Sequence, residues 1–206
     1  MSERSGIAVA TIKYYLREGL LPPGERTSPN QASYGEEHLR RLRLVRAMIE
    51  VGGIPIATVG EVIAAIDSPE MSLFNVLGVA QDSLATAVPA TRDAEWDRAY
   101  AAVCAEMDRR GWDINPSPQA IDTLTGVIVR FAQLGYDTWA DDALPSYFDG
   151  ARRVAEADVP AALSAGDRDD IIDAVVVHTV LGDTALAAIR RIAQAQVSLE
   201  RLQNAD

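Results

Sequence analysis

Apolar residues recur at every third or fourth position over most of this chain, a period that predicts helices nearly throughout. Over 36–51, "EEHLRRLRLVRAMIEV" sets Leu39, Leu42, Leu44, Val45, Met48 and Ile49 at mostly helical spacing, with Arg40, Arg41, Arg43 and Arg46 between them. Gly52 and Gly53 then stop the helix, because glycine is free to take positive φ. A shorter helix over 57–66 presents Val59, Val62, Ile63 and Ile66, and Asp67-Ser68-Pro69 closes the unit. Ahead of these lies "TIKYYLREGLLPPG" at 11–24, a short helix running into a Gly-Leu-Leu-Pro-Pro break. It leads into "PPGERTSPNQASYG" at 22–35, the most turn-rich stretch of the chain, suited to an ordinary surface loop or to a short β-hairpin.

The remaining residues read as an α-helical bundle. A segment over 72–88 is bounded by Pro69 and Pro89 and interrupted by Gly78, too short for a long coiled coil. Further helices are expected over 94–110, 118–134, 138–157, 169–181 and 183–203. The last two are strongly apolar, with Ile171, Ile172, Val175, Val176, Val180 and Leu181 in one and Leu186, Ile189, Ile192, Val197, Leu199 and Leu202 in the other. They suit either an intramolecular core or a dimer interface of four helices, loosely like the ligand-binding half of tetracycline-repressor-type regulators. No run of alternating β-branched residues and no internal repeat is present. The fold class is therefore mainly α, divided into an N-terminal unit at 1–67 and a helical body at 68–206.

Charge separates the two parts further. The whole chain of 206 residues has a formal net charge of −11. Residues 1–66 hold eight Lys and Arg against seven Asp and Glu, whereas residues 67–206 hold eleven against twenty-three. An acidic body repels a phosphate backbone, which confines any nucleic-acid contact to the N-terminal third. The single Cys104 excludes an internal disulfide and a multi-thiolate metal site. No apolar run is expected to span a bilayer and no signal-peptide pattern opens the chain, so no membrane partner and a cytoplasmic location are expected. Neither a Gly-rich phosphate loop nor a nucleophile elbow occurs. The two histidines, His38 on the basic helix and His178 in "AVVVHTVLG", lack a catalytic partner in sequence. Neither an enzyme nor a bound cofactor or metal is expected.

The N-terminal third resembles the DNA-binding domain of the mercury-resistance regulator (MerR) family of transcription factors. The residues that carry the resemblance are Gly6, Thr11-Ile12-Lys13-Tyr14-Tyr15, Gly19-Leu20-Leu21, Pro23, Arg26, Tyr34, the run 39–48 and "EVGGIPIATVGEVI". It covers roughly residues 3–67. It implies a winged helix-turn-helix with a small β wing, placed ahead of the helical bundle. It also implies a homodimer that bends and untwists promoter DNA with an overlong spacer so that RNA polymerase can engage it, the polymerase being an indirect partner. Bending alone costs about 1 to 6 kcal/mol, which several phosphate contacts must offset.

Helical geometry agrees with that role. Ala10, Thr11, Lys13, Tyr14 and Arg17 can share one exposed arc while Ile12, Tyr15 and Leu16 face inward. The candidate DNA-binding residues are Thr11, Lys13, Tyr14, Tyr15, Arg17, Arg26, Tyr34, Arg41 and Arg43, with Arg26 on the wing suited to backbone or minor-groove contact. Three departures from the family pattern stand out. Only residues 1–5 precede the Gly6 corner, Ala8 replaces the usual Ser or Thr cap, and Gln31-Ala32-Ser33 replaces an aromatic-Arg pair ahead of Tyr34. These departures keep open a second reading, a ligand-sequestering or protein-interaction protein with a degenerate DNA-binding domain.

Aromatic residues gather in the acidic body. Trp96, Tyr100, Trp112, Phe131, Tyr136, Trp139 and Tyr147 either pack as large core residues or line a pocket for a small hydrophobic or cationic effector. The resulting expectation is a regulator that binds double-stranded promoter DNA as a dimer and responds to such a ligand.

Overall fold

The computed structural model describes residues 1–28, 31–68, 70–72, 74–75, 78–79, 82, 88, 90–113 and 118–203. The expected helix over 72–88 falls largely outside them. The N-terminal unit begins with a single helical turn, α1 (Ser2–Ser5), which reverses at Gly6 with φ 70° into α2 (Val9–Arg17). Two short antiparallel strands follow, β1 (Glu25–Ser28) and β2 (Gln31–Ser33), paired Glu25 to Ser33 and Arg26 to Ala32. The turn-rich stretch is thus a hairpin. Next come α3 (Glu36–Arg46), which runs into a π-helical turn at Ala47–Val51, and α4 (Ile56–Ile66).

The body holds α5 (Ala94–Asp108), α6 (Pro118–Gln133), a one-turn α7 (Trp139–Asp142), α8 (Leu144–Leu163) and α9 (Arg168–Gln203). Two boundaries differ from the periodicity. The helix expected over 138–157 is two helices, parted at Ala143, because Pro145 has no N–H to continue a ladder and instead sits in the first turn of α8. The two helices expected over 169–181 and 183–203 are one helix of 36 residues. An isolated glycine in a helix costs only about 1 kcal/mol against alanine. Gly182 therefore does not break α9, and the apolar period continues on both sides of it.

Helix α9 also corrects the expectation about membrane-spanning length. An 18-residue window within it has mean hydropathy 1.6, long and apolar enough to cross a bilayer by length and composition. Its N-terminal half is instead partly packed in protein. Ile172, Val176 and Val180 are buried with Ile12, Tyr15, Leu20, Leu42, Val45, Met48, Val59 and Val62 in one core. The last helix of the chain thereby completes the core of the first unit. A second core joins α5, α6 and α8 through Trp96, Val103, Met107, Ile121, Ile128, Val129, Leu144 and Phe148.

Gly53 takes φ 63° as the helix stop requires, while Gly52 is needed for space. A Cβ on Gly52 would lie 2.8 Å from both Val180 Cγ1 and the Met48 carbonyl oxygen. A carboxylate cluster fastens the same docking. Arg40 of α3 reaches Asp170 at 3.0 Å, Asp173 at 2.9 Å and Asp169 at 3.6 Å, all in the first turns of α9.

Candidate nucleic-acid interface

The helix-turn-helix is built on local hydrogen bonds. The Ser2 hydroxyl donates to the Ile7 carbonyl at 2.6 Å, and the Ile7 N–H donates to Ser5 Oγ at 3.2 Å, which shapes the corner between α1 and α2. The sequence supplies one helical turn ahead of that corner, and Arg4 ties it to the start of α3 through an ion pair with Glu36. Ala8 stands at the N-cap of α2 with no side-chain hydrogen bond, so the first-turn N–H groups there lack a side-chain acceptor.

Helix α2 divides its residues as its period dictates. Ile12 and Tyr15 are buried, Thr11, Tyr14 and Leu16 are half-buried, and Lys13 and Arg17 are exposed. The Arg17 guanidinium lies 5.1 Å from the Tyr14 ring centroid and 3.4 Å from Glu18 Oε1. Lys13 has no carboxylate partner among the described residues. The outward face of α2 thus offers two cations, with the half-buried Tyr14 packed against the core beside Arg17.

Tyr15 is a correction. It is 5% exposed in the core, and burial is the first cause of its raised phenol pKa, followed by the charge of Glu50. It supports α2 from beneath and cannot meet a polymer at the surface. Arg41 is the second correction, since its side chain is 15% exposed and bonded to Asp67 beyond α4. Of the four arginines on the basic helix, Arg40 is held by α9, Arg41 by Asp67 and Arg46 by Glu50, with Nη2 to Oε2 at 2.5 Å. Arg43 is exposed and, among the described residues, has no acidic partner.

On the hairpin Arg26 is exposed and unpaired among the described residues, and Tyr34 is half-buried at its base. The Tyr34 ring fills the space a side chain at Gly24 would need, 2.8 Å from that Cβ position. Sequence reasoning passed over its neighbour His38. His38 is 9% exposed, sits edge-on to Tyr34 at 5.2 Å, accepts the Gly35 N–H on Nδ1 at 3.2 Å and places Nε2 3.4 Å from the Pro23 carbonyl. It joins both ends of the hairpin to the first turn of α3. Its third-residue position after the helix cap was the signal, because that site commonly folds back onto the cap N–H.

The body carries a second set of candidates. Trp96 is buried in the second core and Tyr100 and Trp112 pack against it. Phe131 stacks on Trp139 at 4.3 Å and 6°, Tyr136 meets Phe131 edge-on at 6.2 Å, and Tyr147 meets Trp139 at 5.4 Å. This ladder already has its cation. Arg190 of α9 lies 5.4 Å from the Tyr147 ring centroid and donates from Nη2 to its hydroxyl at 2.6 Å. Phe131, Trp139 and Tyr147 thus pack on one another and on Arg190. Trp112 lines an open groove of about 420 Å³ with Arg152, Ala155, Glu156, Val159 and Pro160. A second groove of about 250 Å³ runs between α8 and α9.

Comparison with known proteins agrees with this geometry. Residues 1–66 match the model of the MerR HTH family of regulatory proteins. The chain is 47% identical over 45 residues to a ZntR-homologous HTH-type transcriptional regulator of Haemophilus influenzae, covering 22% of this chain and 33% of that protein. It is 29% identical over 70 residues to the mercuric resistance operon regulatory protein of Bacillus cereus, covering 34% of this chain and 52% of that one. The match thus spans about a third and about half of those relatives. The crystal structure of SCO5550, a proposed transcriptional regulator from Streptomyces coelicolor A3(2), superposes with a TM-score of 0.76 at 34% identity. That likeness covers 97% of this chain and 94% of the other, body included.

Proposed function

We propose, from the premise that this chain belongs to the MerR helix-turn-helix family of regulatory proteins, that it engages promoter DNA through the outward face of α2 and the tip of the β hairpin. On this reading the chain is a DNA-binding transcriptional regulator rather than an enzyme, and the particular contacts, the dimer and the ligand belong to the same proposal. The observation that carries it is the side-chain sorting on α2: Lys13 and Arg17 point to solvent and Tyr14 stands half-buried beside Arg17, while the apolar side is buried. Arg26 and Arg43 add exposed cations on the hairpin and α3. Phosphate contacts of this kind supply affinity and register, and base-edge contacts from the first turns of α2 supply sequence choice.

Two such units on one operator require a dimer, and the exposed half of α9 supports one. Leu181, Ala185, Ala188, Ile192, Ala195, Leu199 and Leu202 follow alternating spacings of four and three, the seam of a two-helix packing. Ile192 and Leu202 are each 69% exposed, an apolar surface that a second copy would cover. This replaces the expected pair of terminal helices with a single long one from each protomer. An effector entering the helical body would act on DNA binding through α9, which touches both units, and RNA polymerase would be affected only through the promoter.

A mobility-shift assay on the protein's own promoter tests the reading. Binding is expected to fall steeply with salt and to weaken in Lys13→Ala and Arg17→Ala. Equal affinity for the promoter and for unrelated DNA of the same length would sink it.

A further inference from the structure

The groove between α8 and α9 begins one helical turn from the Tyr147–Arg190 contact, and neither core uses its acidic residues. Its walls are Val154 and Val159 from α8 with Val175 and Leu186 from α9, and Asp158, Asp183 and His178 stand among them. Both acids line the same groove, with Gly182 at the contact between the two helices. Asp158 Oδ2 lies 3.6 Å from where a Cβ on Gly182 would be, against the residue that precedes Asp183. Among the described residues neither carboxylate has a hydrogen bond or a cation. The contrast with the other side of α9 is informative, because there Asp169, Asp170 and Asp173 all share Arg40.

From the groove's shape and its unanswered charge we infer that it binds a small organic ammonium ion, with the ammonium between Asp158 and Asp183 and an aliphatic body along the valines. Asp183 is exposed at the groove's rim, and desolvation raises its carboxyl above the ordinary value of 3.8, a shift that an incoming positive charge would oppose. Ligands of other classes fit less well. A hydrated metal ion would meet apolar walls, and no group of three or more metal-ligating side chains is present among the described residues. An anion would face two carboxylates. At about 250 Å³ the space lies below the ~300–1,000 Å³ of drug-sized sites, which selects a short aliphatic amine.

The inference deepens the proposed effector response and rests on that reading for its purpose, because α9 carries the groove on one side and Val176 and Val180 of the helix-turn-helix core on another. Its test does not depend on DNA. Hexylamine, protonated at pH 7, is titrated into the full chain by calorimetry beside 1-hexanol and hexanoate, which share its carbon chain. Hexylammonium is expected to bind about tenfold or more tightly than hexanol, and hexanoate weakest of the three. Asp158→Asn with Asp183→Asn removes the preference for the amine and leaves hexanol binding unchanged. Thr179→Trp, which fills the groove, abolishes binding of both, with circular dichroism and melting showing that each variant is folded. No binding by hexylamine, equal binding of amine and alcohol, or indifference to Thr179→Trp each overturns the site. A mobility shift with and without hexylamine is read separately. Binding with no change in DNA affinity keeps the site and overturns the effector role, whereas failure of the wild type to select its promoter overturns the regulator reading alone.

Discussion

Val180 of the last helix rests on Gly52 at the end of the basic helix, so closely that a methyl group on Gly52 would stand 2.8 Å from Val180 Cγ1. This contact joins residues 128 positions apart in a chain whose helix-turn-helix would otherwise end with α4. Gly52→Ala must displace either α9 or the backbone at Met48, and overpacking of this kind costs about 1–3 kcal/mol. Urea unfolding should show that loss, and Val180→Ala in the same chain should recover part of it, since the two residues touch. Full additivity of the two changes would mean that α9 does not bear on Gly52.

Arg40 balances three carboxylates at the head of α9. Its side chain is 33% exposed, so solvent screens much of the interaction. Arg40→Ala should therefore cost about 1 kcal/mol, well below the ~3–5 kcal/mol of breaking a fully buried pair. Hydrogen exchange should place the loosening in the first turns of α9, with exchange in α6 unchanged.

The same cluster predicts a pH dependence. The Asp173 carboxyl is raised above 3.8 by burial first, with Arg40 and then Arg41 pulling it down and Asp169 and Asp170 adding to the rise. A raised value means that the folded chain holds the proton more tightly than the unfolded one. The corresponding stability is full below pH 3.8 and is lost as pH climbs through the folded value. The urea midpoint of the wild type, measured against Asp173→Asn, should thus shift in favour of the variant as pH rises through that window. A difference that stays flat or moves the other way would contradict the assignment.

Among the arginines of the basic helix the structure separates the exposed Arg43 from the ion-paired Arg40, Arg41 and Arg46. Arg43→Ala should weaken promoter binding and reduce the salt slope by about one. Arg41→Ala should leave the slope alone and lower the melting temperature, because Arg41 spends its guanidinium on Asp67. Equal salt slopes in the wild type and Arg43→Ala would remove Arg43 from the interface.

His38 holds the hairpin to α3 through the Gly35 N–H and the ring of Tyr34, beside the Pro23 carbonyl. His38→Ala should leave α2 folded while freeing the hairpin, with a stability loss of about 1–2 kcal/mol from the lost hydrogen bonding. Methyl or amide resonances of the hairpin should broaden, and those of α2 should not. Uniform broadening would show that His38 instead serves the whole unit.

Much of this molecule could be read along the chain itself. The apolar period placed α2, α3, α4, α5 and α6 within a few residues of their observed bounds, and the cluster of Pro, Gly, Ser and Asn marked the hairpin. The exposure of Lys13 and Arg17 also followed from residue spacing, because 3.6 residues per turn decides which side chains share a face, whereas Tyr14, expected on the same arc, is half-buried against the core.

What lies beyond local period needed the tertiary structure. Nothing near Gly182 indicates that α9 passes through it unbroken, or that Ile172, Val176 and Val180 fill a core laid down by residues 7–66. The aromatic residues give the same lesson, since composition could group Phe131, Trp139 and Tyr147 but not show that Arg190 already occupies their ladder. Arg40, Arg41 and Arg43 look interchangeable in sequence, yet one docks a helix, one pairs with Asp67 and one faces solvent. Helical period is a property of neighbours, whereas a charge's partner and a buried face's cover come from distant segments, and those are decided only when the chain has closed on itself.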